Sequence, residues 1–361
     1  MKNAYIILGN GFSIDFLKHY SESENEIFDK IDIQNLFHLG DKIGTPWDEK
    51  PGFLSYKSCP SLWMLGARPS KSADESTALI EEIITCANMF FDFVNEPEQK
   101  IKRLDLANQG NDRLYLKAYS ELIVYLRHLF SCYNEKITDD SLEKFLNEDK
   151  NWGWLKFFKS ISEHKYEKIT VVTYNYDIWL ERIFKILDIP FFIYGLEDSI
   201  ENAVEIIKPH GSISFLPREP VGTSYSVNYN LDFDGTPIEK LCLKYAELTK
   251  YDKGAIIPPA GDSSRLETTA PWSHVLRKRA TELARNVTEN DEVVLCGISY
   301  WHVDRREIDE LLINLNQDVN FTFINPLPPR DLNAVLISIF KNYVQQSSSS
   351  EIGGILSGKT I

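Results

Sequence analysis

The sequence has no Cys-x-x-Cys pair, and its five cysteines, Cys59, Cys86, Cys132, Cys242 and Cys296, are odd in number and widely spaced. That excludes a disulfide framework and a cysteine-built structural zinc site. There is no apolar stretch approaching the roughly 20 residues of a membrane span. The N-terminal run Ala4 to Leu8 is too short for a signal-peptide core and leads straight into glycines, so the expected location is cytoplasmic. Positive charge is also scarce. Against 53 Asp and Glu there are only 39 Lys and Arg, a net charge of −14, which repels a phosphate backbone and disfavours nucleic-acid binding. No internal repeat is evident. What is present is ample core material: 43% hydrophobic and 25% charged residues over 361 positions, the balance of a globular protein.

Ala4 to Leu8 is a continuous apolar run ending in Gly9-Asn10-Gly11, the pattern of a buried parallel strand entering a tight turn. The next run of this kind, Lys168 to Thr173, comes roughly 160 residues later, far beyond the length of a crossover. The intervening sequence has helical period at Leu79, Ile80, Ile83, Ile84, Ala87, Phe90, Phe91 and Val94, and again at Tyr115, Tyr119, Leu122, Leu126, Leu129 and Phe130. Trp152 to His164 reads as a further helix, and the Pro-, Gly- and Ser-rich stretch from Gly40 to Ser72 reads as loop. After Thr173, helices near 177–187, 272–285 and 305–315 and a last one from Asp331 alternate with short apolar runs. These runs are Phe191 to Tyr194, Val204 to Ile207, Ala255 to Ile257, Glu292 to Cys296 and Val319 to Ile324.

Such alternation predicts an α/β fold with a doubly wound, parallel Rossmann-like sheet. Residues 1–35 and 165–344 then form a discontinuous Rossmann-like domain, 36–164 a large helical insertion, and 345–361 a flexible, serine-rich tail. Pro217 to Asp252, polar and irregular, reads as a second, smaller insertion.

Three motifs fall at predicted strand ends. Gly9-Asn10-Gly11-Phe12-Ser13 follows the first strand, where glycines let backbone approach a pyrophosphate and helix N-terminal amides face its charge. The third glycine of a full dinucleotide fingerprint is missing, so a purely structural turn stands beside that reading. Thr173-Tyr174-Asn175-Tyr176-Asp177 follows the strand through Val172, at the sheet edge where α/β proteins place ligands; helix capping is the competing role for Asn175 and Asp177. Lys208-Pro209-His210-Gly211-Ser212 follows Val204 to Ile207, and its glycine permits close approach to His210.

The order GxGxS, TxNxD, HG, then Gly297-Ile298-Ser299 and Asn325 after successive strands resembles that of sirtuin-fold NAD-binding proteins. With Ile257-Pro258-Pro259, Trp272 and Asp304, the chain looks like the bacterial sirtuin-like NAD hydrolases of anti-phage defence, over roughly residues 4–16 and 168–326. The variant GNGF also resembles a related abortive-infection family. The resemblance implies a sirtuin-type sheet that takes NAD as substrate, needs no metal, and cleaves the nicotinamide–ribose bond. By it, Gly9, Asn10, Gly11, Phe12 and Ser13 would cradle the diphosphate, with Thr173 beside them, and Gly297, Ser299 and Asn325 would line the adenosine side. Asn175 would orient water or ribose hydroxyls, and Asp177 would meet the nicotinamide carboxamide or the growing cation. His210, of the residue type that titrates nearest neutrality, would be the general base. Sirtuin deacetylases carry two Cys-x-x-Cys pairs that this chain lacks, which argues against acyl-lysine removal. Implied partners are further copies of the chain in a homo-oligomer and a defence protein such as a motor ATPase. Two other functions compete: a sensor that binds NAD or ADP-ribose without turnover, and an assembly subunit.

Overall fold

A strand that is apolar on both faces has to be covered on both, and the chain meets this by placing its first strand in the middle of the sheet. The computed structural model describes residues 2–23, 27–45, 51–95, 114–148, 151–161, 166–218, 236–251, 254–258 and 270–352. In it, β1 (Lys2–Leu8) pairs in parallel with β2 (Tyr166–Thr173) on one side and with β7 (Glu292–Cys296) on the other. Beyond β2 lie β4 (Val204–Ile207) and then β3 (Phe191–Ile193); beyond β7 lie β8 (Asn320–Ile324) and β9 (Asn342–Gln346). The order β3-β4-β2-β1-β7-β8-β9 and its parallel ladders make this an α/β fold of Rossmann-like, doubly wound type. The short antiparallel pair β5 (Phe215–Pro217) and β6 (Leu241–Leu243) stands apart from the main sheet.

Helix α1 (Asn10–Ser23) follows β1, and α2 (Pro60–Met64), α3 (Ala73–Asn95), α4 (Leu114–Glu135), α5 (Asp139–Glu148) and α6 (Gly153–Ile161) follow before β2. The stretch from Gly40 to Ser72, expected as loop, thus contains a short helix. Buried Glu121 of α4 accepts the Ser61 and Leu62 amides at 3.0 and 2.8 Å, holding the start of α2, whose sequence alone shows too few periodic positions to reveal it. Helices α2 and α3 pack on α4, while α5 packs on α1 and on α7 (Trp179–Ile186). Phe12 and Phe16 of α1 join Phe145, Trp152 and Trp179 in an aromatic cluster with centroid separations near 6 Å. Helices α8 (Pro271–Arg285), α9 (His302–Asn314) and α10 (Arg330–Ile339) complete the layers. Among the described residues no helix is long and apolar enough to cross a membrane.

Two expectations need correction. Ala255 to Ile257 forms no strand of the sheet; Ile256 makes a single bridge to Gly211, which braces a loop instead. The stretch expected to be a flexible tail from Gln345 is ordered through Ile352: Gln345 and Gln346 end β9, and Ser349 is buried in a 3-10 turn. As an edge strand, β9 is largely solvent-facing and polar, so it carries no apolar run for the sequence to display. Residues 353–361 of that expectation lie outside the described residues.

The docked turn yields a test. Ser349 Oγ donates to Asp15 Oδ2 at 2.7 Å, the same oxygen that accepts Trp152 Nε1–H at 2.8 Å. A Cβ at Gly153 would lie 1.7 Å from the Ser349 carbonyl oxygen. Gly153→Ala should therefore cost roughly 1–3 kcal/mol in urea unfolding of the full chain, and almost nothing in a chain truncated after Gln346. Equal costs in both backgrounds would show that the turn does not dock there.

Candidate active site

At the carboxyl edge of the sheet, the chain winds from β1 toward β2 on one side and toward β7 on the other, the topological position where open α/β sheets form a crevice. The turns after β1 and β7 meet there through backbone. Gly9 N–H donates to Cys296 O at 2.8 Å and Gly11 N–H to Gly297 O at 3.1 Å. A Cβ on Gly11 would sit 2.4 Å from Gly297 Cα, and Gly297 itself has φ +65°, so side chains are excluded from both sides of this contact. The glycine spacing is thus demanded first by loop-on-loop packing. Of the five residues expected to cradle a diphosphate, Gly9 and Asn10 line the cavity in this crevice. Gly11 packs on Gly297, Phe12 turns into the aromatic cluster, and Ser13 is wholly buried beneath the floor.

Below that floor runs a polar chain. Asn175 Nδ2 donates to Gly9 O and to Ser13 Oγ, each at 3.0 Å, and Ser13 Oγ donates to Asp177 Oδ2 at 2.7 Å. Asp177 Oδ1 accepts the Trp179 amide at 3.2 Å, a local bond at the entrance to α7, whose N-cap residue is Ile178, and Asp177 also lines the cavity. Burial raises the Asp177 carboxyl above its usual range, against the pull of Lys208. With both amide protons of Asn175 spent, its Oδ1 is the atom left to accept from a ligand in the cavity it lines. Thr173 does not line the cavity; its Oγ1 accepts the Asn175 amide at 3.3 Å. Asn325 caps the turn after β8 through Leu327 N–H at 3.0 Å and also stays outside the cavity, whereas Gly297 and Ser299 line it.

The His210 loop is braced throughout. Lys208 Nζ, buried, bonds Glu181 Oε1 at 2.7 Å and the Asp177 carbonyl at 2.6 Å, tying the end of β4 to the end of β2. Gly211 takes φ +79° with the Ala255 carbonyl 1.9 Å from where its Cβ would be, and Ser273 Oγ donates to Pro209 O at 2.6 Å. This fixes His210, 2% exposed, with Nε2 3.0 Å from Glu307 Oε2. Arg277 reaches the same oxygen at 2.7 Å. Burial alone would raise the Glu307 carboxyl, but Arg277 and then His210 outweigh it and hold it below its usual range. An ionised Glu307 favours the tautomer that donates from Nε2, in which Nδ1 is the accepting ring nitrogen.

Asp304, in the first turn of α9, lines the cavity with its Oδ1 4.0 Å from His210 Nε2 and without a hydrogen bond. Burial pushes this carboxyl up to about 6. The cavity, about 360 Å³, is roofed by the chain between β1 and β2: Ser76, Thr77 and Ile80 of α3 and Leu126 and Phe130 of α4. These roof residues, with Arg277 and Glu307, have no motif signal, because what recruits them is proximity across the fold. Among the described residues no cluster of three or more His, Cys, Asp or Glu side chains could hold a metal ion.

Asp304 gives a signed pH prediction. Its folded value, about 6, lies above the unfolded value near 3.9, so ionisation at neutral pH opposes folding, and that cost is gained as pH rises from about 4 to about 6. Asp304→Asn should raise stability at pH 7.5 by about 2–3 kcal/mol, with the gain vanishing near pH 4. Denaturant melts of both proteins across that range check it; a gain independent of pH would refute the assignment. Compared with protein-family models and with curated proteins, the chain matches none.

Proposed function

We propose that this chain is an NAD glycohydrolase, cleaving the nicotinamide–ribose bond of NAD to nicotinamide and ADP-ribose. The observation that carries this reading is the convergence of Asn10, Asn175, His210, Gly297 and Ser299, from widely separated segments, on one cavity at the switch point of a Rossmann-like sheet. Nicotinamide in NAD is a pyridinium and leaves with the electron pair of its C1′–N bond, so little acid catalysis is required. The site must instead tolerate an oxocarbenium-like ribose and deliver water to C1′. Asn175 Oδ1 accepts from that water or from a ribose hydroxyl, and His210 Nδ1 takes the proton as the new C–O bond forms. Glu307 and Arg277 hold the tautomer that makes this possible. Asp177 acts as a positioning residue, through Ser13 on Asn175.

Ile80, Leu126 and Phe130 of the α3 and α4 roof put apolar surface over part of the cavity, which suits a reactive cation. By its resemblance to the defence family, the enzyme would act in the cytoplasm as the toxic effector of an anti-phage system. An unrestrained NADase drains its own cell, so homo-oligomer assembly or a partner such as a motor ATPase would hold it in check.

Nicotinamide release from NAD by the purified chain is the primary test. Asn175→Ala should lose on the order of 100-fold or more in release, because it removes both an acceptor in the cavity and the brace on the Gly9 turn. His210→Ala should fall comparably, and the two losses should combine less than additively if they serve one step. Calorimetry should show NAD still bound by folded His210→Ala. Near-parental turnover in either folded variant would overturn the mechanism.

A further inference from the structure

We propose that Asp304 is a catalytic residue of this site: its carboxylate faces the ribose C1′ of NAD and stabilises the positive charge that grows there as nicotinamide departs. The inference rests on the NAD-cleaving reading and adds to it a group that neither Asn175 nor His210 supplies. Among the described residues, the carboxylates lining the cavity are Asp177 and Asp304. Asp177 has one oxygen on Ser13 and the other on the Trp179 amide, so its charge is spread into the floor. Asp304 is held differently: its side chain keeps one-fifth exposure, its Oδ1 is buried with no hydrogen bond, and its contact to a cation-forming group is a long one, 4.0 Å to His210 Nε2.

The surrounding groups explain why its charge is only weakly met. Glu307, one helical turn along α9, captures both Arg277 from α8 and His210 from the β4 loop, at 2.7 and 3.0 Å. Tyr174 and Tyr176 from the β2 loop bring no charge, burial and Asp304 among the causes holding the Tyr176 hydroxyl protonated. His302, on the same turn as Asp304, is committed to Glu81 of α3 at 2.6 Å. An ionised carboxylate whose charge is only partly met by His210, Arg277 and His302 in a semi-enclosed cavity is costly, and a cation arriving there relieves the cost. In hydrolysis the C1′–N bond breaks with its electron pair on nicotinamide, water oxygen bonds C1′, and His210 Nδ1 takes the water proton. Asp304 forms no bond and supplies the opposing charge throughout.

The test uses the full chain with Asp304→Asn and Asp304→Glu. Binding of NAD, whose ring is cationic, is compared with that of NADH, whose ring is neutral, and nicotinamide release is followed across pH. The parent should bind NAD more tightly than NADH, and Asp304→Asn should reduce that preference about 5- to 10-fold while lowering release at pH 7.5 on the order of 100-fold or more. Parental kcat/KM should fall as pH drops through about 6, and Asp304→Glu should recover part of the loss. Parental release by Asp304→Asn, or lost release with an unchanged NAD/NADH preference, would overturn the proposal while leaving NAD cleavage standing. A parent that binds NAD and releases no nicotinamide would instead remove the hydrolytic reading, and this proposal with it.

Discussion

The backbone contact between the turn after β1 and the turn after β7 sets the geometry of everything above the sheet edge. It forms only because Gly9, Gly11 and Gly297 carry no Cβ, which lets two loops approach to hydrogen-bonding distance where side chains would collide. Once the turns are locked, Gly9 O offers an acceptor to Asn175, Asn175 fixes Ser13, and Ser13 fixes Asp177. A glycine pattern that looks like a ligand cradle is therefore, in large part, the joint on which the site is assembled, with Gly9 and Asn10 left to face the cavity.

Charge is distributed on either side of that joint in two ways. Lys208 and Glu181, both 1% exposed, neutralise each other and are further bonded to backbone, which holds β2 and β4 in a single relation. Near His210 the balance is incomplete: Arg277 serves Glu307, while Asp304 keeps a raised value of about 6. A buried pair can be neutral to stability when complete, whereas a carboxylate whose charge is only partly met opposes folding. Its retention beside a histidine and an asparagine in one cavity suits a site that waits for positive charge.

The chain between β1 and β2 serves more than one layer. Helices α2 and α3 pack on α4, and α3 and α4 roof the cavity, with Arg127 of α4 tied to the Ile213 carbonyl just before β5 and to the Leu248 carbonyl after β6. Helices α5 and α6 instead bring Phe145 and Phe158 against α1 and α7, joining the aromatic cluster that buries Phe12. A roof that comes from the same chain as the floor sets what can enter.

The sequence by itself determined the parallel sheet and the strand ends that carry Gly9, Asn175, His210 and Gly297. Apolar runs of strand length, glycines and helical period are local signals, and local chemistry sets them. It left open whether Asp177 serves the start of a helix or meets a ligand, since an aspartate at a strand end suits both; in the fold it bonds Ser13 and the Trp179 amide and also lines the cavity. Tertiary structure alone decided that Phe12 faces the core, that β9 closes one edge of the sheet, and that Glu307, Arg277 and Asp304 surround His210. Those residues lie some 70 to 100 positions from His210 along the chain, and only the packing of α8 on β4 and of α9 on α8 brings their charges within reach of it.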